Sequence, residues 1–174
     1  MQELYATKIR TTLSKQLKYG NNHLLPKLIK ITIHSSIHKK NKTNKDLVSL
    51  SLITGQQPLL TKAKKSISDF KLKKNTIIGA LTTLRRKNMY NFLYKLIHLV
   101  LPAIKDFNGL NHKSFDTSGN YNLGLSNMCL FPELNEAYTG NKPSLGLNIT
   151  IVTSAKSKKE ALNLLQQLGL PFNI

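Results

Sequence analysis

Leu4, Ile9, Leu13 and Leu17 fall at roughly helical spacing, with Lys8, Arg10, Lys15 and Lys18 set among them. This pattern predicts a basic amphipathic helix that ends at Gly20-Asn21-Asn22. After Pro26 the period drops to two. Ile29, Ile31 and Ile33 point one way and Lys30, Thr32 and His34 the other, which is a strand with one buried face and one polar, basic face.

Lys39 to Lys45 reads as a polar connection, and Asp46 to Ile53 as a helix stopped by Gly55. Gln56 to Thr61 is a short extended piece. The basic stretches Lys62 to Ser66 and Asp69 to Asn75 have little period and predict a loop that orders on its partner. Thr76 to Arg85 is a second strand, in which Gly79 marks a bulge. Asn88 to Leu101 is the clearest helix: Met89, Phe92, Leu93, Leu96, Ile97 and Val100 form one apolar stripe, closed by Pro102. Residues 106–120 are turn formers throughout and make a long loop, of a length usually kept for function.

Tyr121 to Leu125 is a short strand and Phe131 to Pro143 an irregular excursion. Leu147, Ile149 and Ile151 alternate with Asn148, Thr150 and Val152 in another strand. Ser157-Lys158-Lys159-Glu160 has capping-box spacing and opens a last helix through Leu168, stopped by Gly169 and Pro171. With no repeat and no linker, residues 1–174 are expected to form a single α+β domain.

Charge narrows the function. The chain carries 26 Lys and Arg against 8 Asp and Glu, a net of +18 over 174 residues. Residues 1–90 hold 19 basic and 3 acidic side chains, net +16, whereas residues 91–174 hold 7 and 5, net +2. Such imbalance repels itself in the folded state, so a polyanionic partner is expected, and the first half is its electrostatic footprint. The 40% of hydrophobic residues supplies a core and excludes a disordered basic tail.

A membrane would also attract positive charge. The best apolar run, Phe92 to Ile104, is interrupted by Lys95, His98 and Pro102 and is too short to span a bilayer. The polar start, Met-Gln-Glu-Leu-Tyr, predicts no signal peptide. The single cysteine, Cys129, excludes an internal disulfide and a Cys-based zinc cluster, and in Met-Cys-Leu-Phe it reads as a small buried hydrophobe. His34 and His38 are four apart, but on a strand that spacing makes no metal pair.

Catalysis finds no purchase. The carboxylates are dispersed, and there is no phosphate loop, dinucleotide turn or nucleophile elbow. His112, Ser114 and Asp116 share a loop, but a turn-rich loop lacks the rigid frame a triad needs. The chain is therefore expected to be no enzyme and to need no cofactor or metal.

Several stretches, taken in order, resemble one family. They are Ile53-Thr-Gly-Gln-Gln-Pro-Leu-Leu-Thr-Lys-Ala-Lys-Lys-Ser66, Thr83-Leu-Arg85, Met89-Tyr90 and Asp106-Phe-Asn-Gly-Leu110. Lys113-Ser-Phe-Asp116, Gly119-Asn-Tyr121, Phe131-Pro-Glu133 and Ile149-Thr-Ile151 through Ala155-Lys156 continue the set. The ordered set is similar to the large-subunit ribosomal protein five family, which binds 5S rRNA in the central protuberance, and it covers a core of residues 26–172 behind a basic N-terminal helix, residues 1–25.

The resemblance implies an antiparallel sheet with helices packed on one face and RNA on the other. It implies 5S rRNA contacts from Lys30, Thr32, His34, Gln56, Pro58, Thr61, Thr83 and Arg85. Hydroxyl and amide groups would meet sugar edges there, and Lys and Arg would neutralise phosphate. A basic loop bearing Lys62, Lys64, Lys65, Lys71, Lys73 and Lys74 would face P-site tRNA. A second loop, with Asn108, His112, Lys113, Ser118 and Asn120, would face a small-subunit head protein across an intersubunit bridge. Large-subunit rRNA and neighbouring ribosomal proteins complete the implied partners. A free-standing RNA chaperone or processing factor of the same fold is the alternative.

Four departures from the family pattern stand out: His34 in place of Asn, Ser35-Ser36-Ile37 in place of a Gly-containing turn, Arg86 in place of Gly, and Thr117-Ser118 in place of Gly-Arg. Lys outnumbers Arg 23 to 3, a bias that binding chemistry does not explain, since Arg is the better phosphate fork. An A-T-rich organellar genome would produce it, so the expectation is an organelle-encoded protein of the mitochondrial matrix, with plastid or bacterial cytoplasm as alternatives.

Overall fold

The computed structural model describes residues 1, 3, 5–17, 19, 21–37, 43–137 and 145–173. The predicted roles of Leu4, Lys18, Gly20, His38, Lys39 to Lys42 and Pro143 lie outside them. The described elements define an α+β fold whose centre is a five-stranded antiparallel sheet.

Its strands are β1 (Leu28–Ser36), β2 (Leu59–Lys62), β3 (Ile77–Leu84), β5 (Tyr121–Leu125) and β6 (Leu147–Thr153), in the order β2-β3-β1-β6-β5. Two short strands, β4 (Leu110–Asn111) and β7 (Phe172–Asn173), pair in parallel as a separate ribbon. The helices are α1 (Arg10–Leu17), α2 (Thr43–Thr54), α3 (Arg86–Lys95), α4 (Pro132–Ala137) and α5 (Lys158–Gln167). The chain forms two compact units: Met1–Ile31, Leu84–Leu123 and Thr150–Ile174 make the first, and Thr32–Thr83 and Gly124–Ile149 the second.

Strand burial follows the pleat. Ile31, Ile33 and Ser35 of β1 are buried while Lys30, Thr32 and His34 are half-buried. Ile29 departs from the expected row and is 41% exposed, while Leu28, of the opposite parity, is buried; the regular alternation starts at Ile31. In β6, Leu147, Ile149, Ile151 and Thr153 are buried and Asn148, Thr150 and Val152 are not, matching the predicted strand.

The apolar stripe on α3 is buried throughout, at Met89, Phe92, Leu93, Leu96, Ile97 and Val100. Each such side chain contributes about 1.5–3 kcal/mol by leaving water. The helix is regular to Lys95 and widens into a π-helical turn over Leu96–Val100, with Pro102 beyond it. A similar π-turn, Tyr5–Ile9, precedes α1, and together they bury Ile9 and Leu13.

Other expectations also change. The α2 helix begins at Thr43, three residues before the predicted start, so Thr43 to Lys45 are not connection. Phe131 to Pro143 opens with α4 rather than irregular chain, with Leu134 fully buried. Residues 106–120 contain β4 and a one-turn 3-10 helix, His112–Ser114. Cys129 is half-buried, not buried. Strand β7 went unread, because a two-residue strand has no period; only its partner defines it.

Candidate nucleic-acid interface

The second unit presents an open row of side chains on its strands. Ala80, Thr82 and Leu84 of β3 are buried, which leaves Gly79, Leu81 and Thr83 on the opposite row. Strand β2 is antiparallel to β3, with Leu59 opposite Leu81 and Thr61 opposite Gly79. On β1, Thr32 and His34 alternate with buried Ile33 and Ser35. The side chain of Ser35 donates to the Gly146 carbonyl at 3.0 Å, which fixes the inner side of that strand.

Gly79 brings these rows together. A Cβ placed there would sit 2.8 Å from His34 Nε2, 3.1 Å from Thr61 Oγ1 and 2.7 Å from the Ser35 carbonyl oxygen. Only a residue without a side chain lets the imidazole and the hydroxyl occupy that surface. The predicted bulge falls beside it: Thr61 pairs with Gly79 but Lys62 with Ile77, so Ile78 is the extra residue. Next to the hydroxyl positions, Leu59 is 68% exposed and stands opposite half-buried Leu81, so the row carries apolar as well as polar side chains.

Of the predicted contact residues, Thr32, His34, Gln56, Pro58, Thr61 and Thr83 lie in this unit. Gln56 is exposed and Pro58 half-buried, just past the end of α2. That end is set by Gly55 (φ +65), whose N–H donates to Ser51 O at 2.8 Å, and by the Thr54 hydroxyl, 2.7 Å from Leu50 O. Lys30 and Arg85 belong to the first unit. Lys30 is half-buried on the outer row of β1, and Arg85 is exposed in extended backbone at the start of α3, its side chain unused in capping.

The basic segment between β2 and β3 is a built hairpin rather than the patternless loop its sequence predicts. Ala63 N donates to Thr76 O (2.9 Å) and Asn75 N to Ala63 O (3.0 Å). Ile67 and Leu72 exchange both backbone bonds, and Lys71 and Asn75 take positive φ to close the turns. Lys62, Lys64, Lys65, Lys71, Lys73 and Lys74 are all exposed. At the tip stands Phe70, 75% exposed. Sequence reasoning passed over it because a lone Phe among lysines carries no periodic signal. Basic side chains interleaved with an accessible ring are what an RNA surface with unpaired bases engages.

In the first unit, the second predicted loop is tied down from within. Asp116 accepts from the Asn120 backbone N–H (2.6 Å) and from Asn120 Nδ2 (2.8 Å). Asn120 Oδ1 accepts from Thr153 N–H, and the Thr153 hydroxyl donates to Gly119 O at 2.8 Å. Burial pushes the Asp116 carboxyl up, but the Asn120 bonds, the Ser118 backbone bond and the charge of Lys158 outweigh it and hold it below its ordinary value. Asn120 is thus committed within the chain, whereas Asn108, His112, Lys113 and Ser118 are exposed. His112 and Lys113 line a cavity of about 370 Å³ with Gly109, Asn111 and Asn173.

No group of three or more His, Cys, Asp and Glu side chains that could hold a metal occurs among the described residues, and none of their helices is long and apolar enough to cross a membrane.

Comparison with known proteins finds two family models that match this chain. The family described as ribosomal protein L5 matches residues 21–73, and the family described as the C-terminus of that ribosomal protein matches residues 77–172. The large ribosomal subunit protein uL5c of Gracilaria tenuistipitata var. liui is 46% identical, over 99% of this chain and 97% of its own. That of Cyanidium caldarium is 49% identical, over 99% and 96%. The uL5 of Thermotoga maritima is 46% identical, over 99% and 95%.

The protein is therefore a non-enzymatic, structural component of the large ribosomal subunit. The chain belongs to the ribosomal L5 family. These relatives are chloroplast and bacterial proteins, which does not support the mitochondrial expectation and fits its alternatives better.

Proposed function

We propose that the chain binds 5S rRNA in the central protuberance through the open row of its second unit, with Lys30 and Arg85 as further contacts. The observation that carries this reading is the glycine-centred surface, where Thr61 and His34 converge on Gly79. A flat row of hydroxyl, imidazole and apolar groups suits sugar edges and 2′-hydroxyls, which is how folded RNA is read. The lysine hairpin with Phe70 at its tip contacts the elbow of P-site tRNA. The exposed residues Asn108, His112, Lys113 and Ser118 meet a small-subunit head protein in an intersubunit bridge. The site of action is a plastid ribosome, in keeping with the Lys bias and the chloroplast relatives.

Filter binding to a 5S rRNA transcript tests the mapped surface. Thr83→Ala and Arg85→Ala are expected to weaken binding, while Lys156→Ala, on an exposed residue away from the row, has little effect. Equal losses from all three would reject the map. Co-sedimentation separates the alternative of a free-standing RNA chaperone: a ribosomal component stays with salt-washed large subunits, and a factor washes off.

A further inference from the structure

The first unit holds a basic groove that none of the contacts above uses. One side is α1, where Arg10, Thr11, Ser14 and Lys15 occupy a single face, the pairs 10/14 and 11/15 each one helical turn apart. The opposite face of the helix is anchored, with Leu13 fully buried and Ile9 nearly so. The other side is the 3-10 turn Asn22–Leu24, capped by Asn21 Oδ1, which accepts from His23 N–H at 2.9 Å. Two adjoining cavities, about 430 and 170 Å³, share Arg10 and Asn22 as walls, and the smaller runs on to Lys27. Tyr5 fixes that end by donating its hydroxyl to Pro26 O at 2.9 Å.

Among the described residues, no carboxylate lines either cavity. Three cations, the Ser14 hydroxyl and the Asn22 carboxamide line these cavities and form a donor set for an anion whose oxygens recur along a chain, while the Thr11 hydroxyl is spent on Lys8 O at 2.7 Å. Arg10 is one of only three arginines in a sequence that otherwise uses lysine 23 times. A planar fork kept at this place, against that bias, fits bidentate phosphate recognition, which lysine cannot supply.

We infer that this groove is a second RNA site, which grips the sugar–phosphate backbone of an rRNA strand between Arg10 and Lys15 on one side and Lys27 on the other. The inference rests on the reading of the chain as an rRNA-binding protein. It adds a surface in the first unit that acts independently of the open row of the second.

The test uses the full-length protein with two probes, a 5S rRNA transcript and a large-subunit rRNA transcript, titrated over a range of salt. The double variant Arg10→Ala/Lys15→Ala is expected to bind at least one of them about tenfold more weakly near 0.1 M salt. Its log K against log salt slope should flatten by about 1.5, the share of two phosphate contacts. Arg10→Lys keeps the charge but loses the fork, and should fall between the double variant and wild type. All side chains changed lie off the buried face of α1, so an unchanged melting temperature verifies the fold. Wild-type affinity and slope for the double variant on both RNAs would overturn the groove. Failure of the 5S reading looks different: wild-type protein itself would ignore the 5S transcript.

Discussion

His34 Nε2 lies 2.8 Å from the point where Gly79 would carry a Cβ, and the Ser35 carbonyl oxygen lies 2.7 Å from it. The approach is closed on one side by backbone, which cannot swing away as a side chain would. Gly79→Ala should therefore push β1 from β3 and cost about 1–3 kcal/mol, the range for overpacking a tight site. Urea denaturation measures it. Pairing the change with His34→Ala should recover only part of the loss, since the carbonyl clash stays. Full recovery would mean that the imidazole alone sets the fit.

Arg86 opens α3 with φ +50, a left-handed conformation that costs an ordinary L residue about 1 kcal/mol. The backbone there has a shape that Gly suits. Arg86→Gly is expected to leave the protein as stable as wild type or up to about 1 kcal/mol more stable. A clear drop in melting temperature would show that the Arg side chain contributes more than the strain costs.

The Asp116 carboxylate holds its loop by two bonds from Asn120. Its pKa is depressed in the folded state, so folding favours the ionised form. That contribution is present above the ordinary carboxyl value and is lost as pH falls through the folded one. Wild-type stability should decline on acidification below about pH 4, and Asp116→Asn should be less stable at neutral pH but decline less steeply. Urea midpoints at pH 7 and pH 3 for both proteins decide it; parallel declines would remove Asp116 from the account.

Phe70 gains little from the fold, being 75% exposed. Phe70→Ala should leave the stability from urea titration within about 0.5 kcal/mol of wild type, as for surface substitutions generally. If the ring stacks on an unpaired base, the same change weakens tRNA binding by about 1–3 kcal/mol while Phe70→Tyr preserves it. Equal binding by Phe70→Ala would limit the hairpin to a purely electrostatic part.

Long elements were legible because their signals are periodic. The α3 stripe, the β6 alternation and the capping-box serine of α5 stand where the pattern put them, and Ser157 Oγ accepts from Glu160 N–H at 3.4 Å. The reciprocal half of that box is shifted: Glu160 reaches the Lys156 N–H (3.1 Å) and takes the Tyr19 hydroxyl at 2.9 Å. No spacing rule foretells a bond between residues 19 and 160. The same limit hid β7, the hairpin frame and Phe70.

The sequence by itself determined the α+β class, the asymmetry of charge, and the outward polar row of β1, because periodicity and ionisation are properties of local residue order. Only the tertiary structure decided that Gly79 makes room for His34 and Thr61, that Asn120 is held internally, and that Arg10 and Lys27 border one groove. Those facts depend on strand register and on segments far apart in the chain, whose meeting no local pattern encodes.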